Sequence, residues 1–84
     1  MKTIDPNSLN DLQLAALSQA HAITTVELLA DGDGGWMVRV NRGPYLRSQR
    51  ELRRRFASLD TAARYLKARG VSRVIVELGL LGHG

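Results

Sequence analysis

The stretch Thr24-Thr25-Val26-Glu27-Leu28-Leu29-Ala30-Asp31-Gly32-Asp33-Gly34-Gly35-Trp36-Met37-Val38-Arg39-Val40-Asn41 decides the fold. Val26, Leu28 and Ala30 alternate with Thr25, Glu27 and Leu29, so residues 24–30 read as a strand with one apolar face. Trp36, Val38 and Val40 alternate with Met37, Arg39 and Asn41 in the same way over 36–41. Between the two runs, Asp31-Gly32-Asp33-Gly34-Gly35 is a turn. Glycine reaches positive φ without strain, and aspartate bonds its own backbone. Two alternating runs around such a turn make an antiparallel hairpin.

Before the hairpin, residues 5–20 read as a helix. Asp5 can cap it and Pro6 suits the first helical position, where no N–H is needed. Ser8 followed by Asp11 is an alternative start, close to a capping box. Leu9, Leu12, Ala16, Leu17 and Ala20 recur on one stripe, which predicts the buried face. Leu14 falls off that stripe and is assigned to a partner contact or an edge.

After the hairpin, Arg42-Gly43-Pro44 is a second turn, and residues 45–49 read as a third strand. Residues 50–56 fit helix and strand alike; an irregular or extended lead-in anchored by Phe56 is favoured. Residues 59–69 form the best-marked helix. Ser58 caps it, Asp60 and Lys67 complement its dipole, and Gly70 closes it. Leu59, Ala62, Ala63 and Leu66 make its apolar stripe, and Tyr65 covers the edge. Residues 73–78 are the last strand, with Val74, Val76 and Leu78 alternating with Arg73, Ile75 and Glu77. Residues 79–84 are a glycine-punctuated, loose tail.

The expected architecture is one α+β domain over residues 1–84, in the order α-β-β-β-α-β. Both helices should pack on one face of an antiparallel or mixed sheet. Phe56, Leu59, Ala62, Ala63, Leu66, Val74, Val76, Trp36, Val38 and Val40 should form one core. The chain has 84 residues, so a single thin core is all it can hold. Its composition, 44% hydrophobic and 24% charged, is that of a globular domain rather than a disordered tail.

Several chemistries have no residues to support them. The chain has no cysteine, which removes disulfides, thiol nucleophiles and Cys-based metal sites. His21 and His83 show no metal-ligand spacing. Asp31-Gly32-Asp33-Gly34 superficially matches a calcium loop, but Arg42 stands where the loop needs its bidentate acid. No phosphate loop is present, and Ser58 is a cap rather than a nucleophile. No catalytic residue, metal or cofactor is therefore expected, and the protein reads as a non-enzyme. With no basic start followed by an apolar block and no membrane-length apolar run, the expected location is cytoplasmic.

Charge carries the functional signal. The net charge is +4, but it is unevenly spread. Residues 1–38 carry one base and five acids; residues 39–73 carry eleven bases and two acids. A local excess of this size suits a polyanion, and nucleic acid is the commonest one. Arg39, Arg42, Arg47, Arg50, Arg53, Arg54 and Arg55 are the candidate phosphate contacts. Trp36 and Tyr45 are candidates for base stacking wherever they are exposed. Trp36, which shares a face with Val38 and Val40, is better placed in the core.

The segment Arg54-Arg55-Phe56-Ala57-Ser58-Leu59-Asp60-Thr61-Ala62-Ala63-Arg64-Tyr65-Leu66-Lys67-Ala68-Arg69-Gly70-Val71, with Gly34-Gly35-Trp36-Met37-Val38-Arg39-Val40, resembles small plasmid-encoded, partition-associated proteins of proteobacterial mobile elements. The similarity spans residues 9–78. It implies a setting in plasmid partition or maintenance near DNA, and carries over no functional residues. The expected function is a nucleic-acid-associated accessory protein. The alternative is an adaptor whose basic face meets an acidic partner such as a partition protein.

A homodimer is also expected. Leu29, Met37 and Ile75 fall on the sheet face away from the core, with Leu80 and Leu81 just beyond. Pairing through that face or the last strand would cover them. In a monomer, the N-terminal helix would have to lie over that face as a lid, with Leu14 in the cover.

Overall fold

The computed structural model describes residues 8–78. Asp5, Pro6, Leu80, Leu81, His83 and the 79–84 tail lie outside them. The order is β1 (Ser8–Leu9), α1 (Asp11–Gln19), β2 (Val26–Ala30), β3 (Trp36–Val40), β4 (Tyr45–Leu46), β5 (Arg55–Phe56), α2 (Leu59–Ala68) and β6 (Ile75–Glu77). The class is α+β and the sheet is mixed, with strand order β1-β4-β3-β2-β6; β5 pairs with β3 beyond the end of β4. β1 runs parallel to β4 and β6 parallel to β2, while the central pairs are antiparallel.

The hairpin forms as the alternation predicts. Val26 pairs with Val40, Leu28 with Val38 and Ala30 with Trp36 on the helix-covered face. The turn is held by Asp31, whose Oδ1 accepts from the Asp33 N–H at 2.7 Å and the Gly35 N–H at 3.0 Å. Gly32 and Gly34 both sit at φ 90°, a conformation that a side chain would strain.

The N-terminal helix is shorter than expected and starts later. Asn10, not Asp5 or Ser8, is its cap: Asn10 Oδ1 accepts from the Gln13 N–H, and Gln13 Oε1 accepts from the Asn10 N–H. Ser8 and Leu9 are drawn instead into the sheet beside Tyr45 and Leu46. The shift rotates the buried face. Leu14 is completely buried, whereas Leu12 is 78% exposed and Ala16 and Ala20 are also exposed. The predicted stripe begins at Leu9, which is not helical.

α2 matches its sequence signals. The Ser58 hydroxyl accepts from the Thr61 N–H, Leu66 and Ala62 are buried, and Gly70 ends the helix at φ 91°. The core is Leu9, Leu14, Val26, Leu28, Val38, Val40, Leu46, Phe56, Ala62, Leu66 and Val71. Trp36, Leu59 and Val74 pack against it half-buried. Ala63 and Val76 were expected inside and are exposed. Ala63 lies next to buried Ala62 but on the outer side of α2, and Val76 lies on an edge strand beyond the reach of the helices. The third strand is two residues, not five, because the chain turns away at Arg47 into a loop that returns as β5.

Both helices lie on one side of the sheet, joined by Asp11: its Oδ1 accepts from the Tyr65 hydroxyl and the Arg69 Nε–H. Leu14 is part of the core beneath them, so α1 is not a lid over the opposite face.

Candidate nucleic-acid interface

The seven predicted arginines do not form one patch. Strand alternation and the path of one loop distribute them over both sides of the sheet. Arg39 and Arg55 face the open side, being cross-strand partners of Glu27 and Met37. Tyr45, opposite Arg39, shares this side. Arg42 is exposed at the β3–β4 turn with φ 57°.

Arg47, Arg50, Arg53 and Arg54 belong to the loop 47–54, which is tied at both ends. The Arg47 N–H donates to the Leu9 carbonyl at 2.9 Å, and the Arg54 N–H donates to the Leu46 carbonyl at 2.8 Å. Within the loop, the Ser48 N–H donates to the Glu51 carbonyl at 2.9 Å, and the Ser48 hydroxyl accepts from the Glu51 N–H at 3.0 Å. The loop is therefore ordered by its own backbone, by the Ser48 hydroxyl and by Arg47, whose Nε–H donates to the Ser48 carbonyl at 3.3 Å. Arg53 lies over the Tyr45 ring, 4.3 Å from its centroid. Arg54 goes to the helix side, 4.7 Å from the Phe56 ring centroid and 4.6 Å from that of Tyr65. These are cation–π contacts that hold a charged group against an apolar body.

Carboxylates already occupy some of the set. Arg39 Nε donates to Glu27 Oε1 at 2.8 Å, and Glu27 is only 3% exposed. The Arg39 hydrogen bond holds the Glu27 carboxyl below its ordinary pKa, against the opposing effect of burial. Arg55 lies 3.6 Å from Glu51 and 3.7 Å from Asp31. The two turn N–H donors, Asp33 first, depress the Asp31 pKa, and Arg55 adds to this. By contrast, Arg42, Arg47, Arg50 and Arg53 make no ion pair among the described residues.

The sequence-predicted set therefore separates into three groups. Arg42, Arg47, Arg50 and Arg53 make no ion pair among the described residues, and Arg53 lies on the open face over Tyr45. Arg39 and Arg55 are engaged by acids. Arg54 is packed between aromatic rings on the other side. The Glu27–Arg39 pair was missed, though its signal was present. A turn spanning 31–35 pairs residue 30 with 36, and counting back brings 27 opposite 39.

Asn41 was missed as well. At φ 53° it accepts at Oδ1 from the Thr24 N–H at 2.6 Å and the Thr25 N–H at 3.2 Å, while its Nδ2 donates to the Ala22 carbonyl at 3.0 Å. It thereby locks the α1–β2 connection to the end of β3, from which Arg42 projects. Among the described residues there is no group of three or more His, Cys, Asp and Glu side chains that could hold a metal. No described helix is long and apolar enough to cross a membrane.

Comparison with family models, curated proteins and solved structures gives no significant match to this chain.

Proposed function

We propose that the protein is a small nucleic-acid-associated accessory protein that contacts backbone phosphates through the 47–54 loop and the β3–β4 turn. The supporting observation is the loop itself: it is pinned at both ends, and its Arg47, Arg50 and Arg53 have no carboxylate partner among the described residues. Preformed backbone geometry lowers the ordering cost of binding, and unpaired guanidiniums match phosphate oxygens. Arg42 adds a fourth charge at the neighbouring turn. Arg39, Arg54 and Arg55 support the interface by holding the sheet and loop in shape. The resemblance of residues 9–78 to partition-associated proteins suggests plasmid maintenance as the setting.

The test is binding to duplex DNA across a salt series. Each phosphate neutralised contributes a slope of about −0.9 in log K against log salt. The triple variant Arg47→Ala/Arg50→Ala/Arg53→Ala should flatten that slope by about 3. An unchanged slope removes the loop from the interface.

The second reading is an adaptor for an acidic protein partner, such as a partition protein. It is favoured by the exposed Arg53 lying over Tyr45 on the open face, since arginine and aromatic residues are enriched in protein interfaces. Retention on heparin without any DNA binding would select it.

A further inference from the structure

We propose that two copies of the chain join through β6, antiparallel, about a two-fold axis passing through Ile75. β6 is the last strand of the sheet, paired on one side with β2 and, among the described residues, with nothing on the other. Its free edge is three residues long and carries one charge, Glu77, with Arg73 just before it. It carries no proline and no bulge, and it exposes apolar side chains on both faces: Ile75 at 43%, Val76 at 41% and Leu78 at 68%. The opposite edge, β1, is two residues long, with Leu9 buried.

The charges of this segment are self-complementary in one register. Arg73, Ile75 and Glu77 share one face, and Val74, Val76 and Leu78 the other. Antiparallel pairing sets residues of the same face opposite each other, so a two-fold axis must pass through a residue. An axis through Val74 sets Arg73 against the partner's Ile75. An axis through Val76 sets Glu77 against the partner's Ile75.

An axis through Ile75 sets Arg73 against the partner's Glu77, twice by symmetry. It also sets Val74 against the partner's Val76, again twice. Arg73 and Glu77 make no ion pair among the described residues of their own chain, so both charges are available. Opposite charges placed directly across two strands stabilise the pairing, and like charges oppose it. The occupant of this edge is therefore a second copy of the same strand, and the two sheets become continuous.

Sedimentation equilibrium at low micromolar concentration tests this. The wild-type chain should approach twice 9.3 kDa as concentration rises. Arg73→Glu alone and Glu77→Arg alone each place like charges opposite one another twice, and each should weaken association about tenfold. An equimolar mixture of the two variants restores both pairs and should form a heterodimer. The double variant Arg73→Glu/Glu77→Arg should self-associate like the wild type. Circular dichroism melting of each variant establishes that it is folded. A mass fixed at 9.3 kDa overturns the proposal, and so does a dimer indifferent to the single reversals.

Discussion

The β2–β3 hairpin shows its two faces to different surroundings, and each face is buried by a different means. On the helix side, Val26, Leu28, Val38 and Val40 are almost completely covered by α1, α2 and one another. On the open side no helix lies above, yet Glu27 is buried as deeply as the valines. Its cover is lateral: Arg39 across β3 and Ile75 across β6. A central strand can thus bury a carboxylate without a second layer, provided a guanidinium from the adjacent strand satisfies it. The helix face is held by transfer of apolar area, the burial of Glu27 on the open face by its charge pair with Arg39.

The largest test of this contrast lies on the helix side. Leu66→Ala should cost about 2–5 kcal/mol in chemical denaturation, and Leu28→Ala a similar amount. A loss under about 0.5 kcal/mol for Leu66 would mean that α2 does not cover the sheet as described.

The open face should respond more to removing one partner than to removing both. Arg39→Ala leaves the Glu27 carboxylate buried and alone, and should cost about 2–4 kcal/mol. Replacing both, as Glu27→Leu/Arg39→Met, should recover most of that loss. If the double variant is as unstable as the single, the pair holds the face by something other than mutual charge.

A smaller effect belongs to the turn that sets the register of both faces. Asp31→Ala removes the acceptor for two backbone N–H groups and should lower the thermal midpoint by less than Arg39→Ala does. Amide exchange should rise at Asp33 and Gly35.

Acid titration separates the surface carboxylate from the rest. Hydrogen bonds from Arg69 and then Tyr65 lower the Asp11 pKa to about 2. A depressed folded-state pKa adds stability that is fully present above the unfolded value near 3.8 and is lost as pH falls toward 2. Asp11→Asn should flatten the stability curve within that window and leave it unchanged near neutrality in shape. Least of all, Leu12→Ala should change stability by under about 0.5 kcal/mol, because Leu12 lies in solvent. The same change at Leu14 belongs with Leu66.

Leu12 and Leu14 also show where sequence reading stops. A helical stripe can be drawn through either, depending on where the helix begins, and the beginning depended on whether Ser8 and Leu9 joined the sheet. That pairing is with Tyr45 and Leu46, far along the chain, and no local signal reports it. For α2 the start, the end and the buried side agreed locally, since Ser58, Leu66 and Gly70 each speak through their immediate neighbours. The arginines divide the same way. Their abundance between residues 39 and 55 is plain from the chain, but their availability is not. Arg39 meets Glu27 only once the hairpin has closed, Arg53 covers Tyr45 only once the 47–54 loop has folded back, and Arg54 crosses to the rings of Phe56 and Tyr65.

Features carried within a few residues can be read from the chain alone. The hairpin and its turn, the caps and limits of α2, the anchoring of Phe56 and the absence of thiol chemistry all follow from alternation, capping and composition. The tertiary structure alone decided the partners across the sheet. It put β1 beside β4 and β6 beside β2, buried Leu14 in place of Leu12, left β6 exposed at the edge, and sorted the arginines into paired, stacked and uncompensated groups. Periodicity and capping are local, so a sequence window contains them. Pairing and desolvation depend on groups brought together from distant positions, and these become neighbours only when the whole core closes.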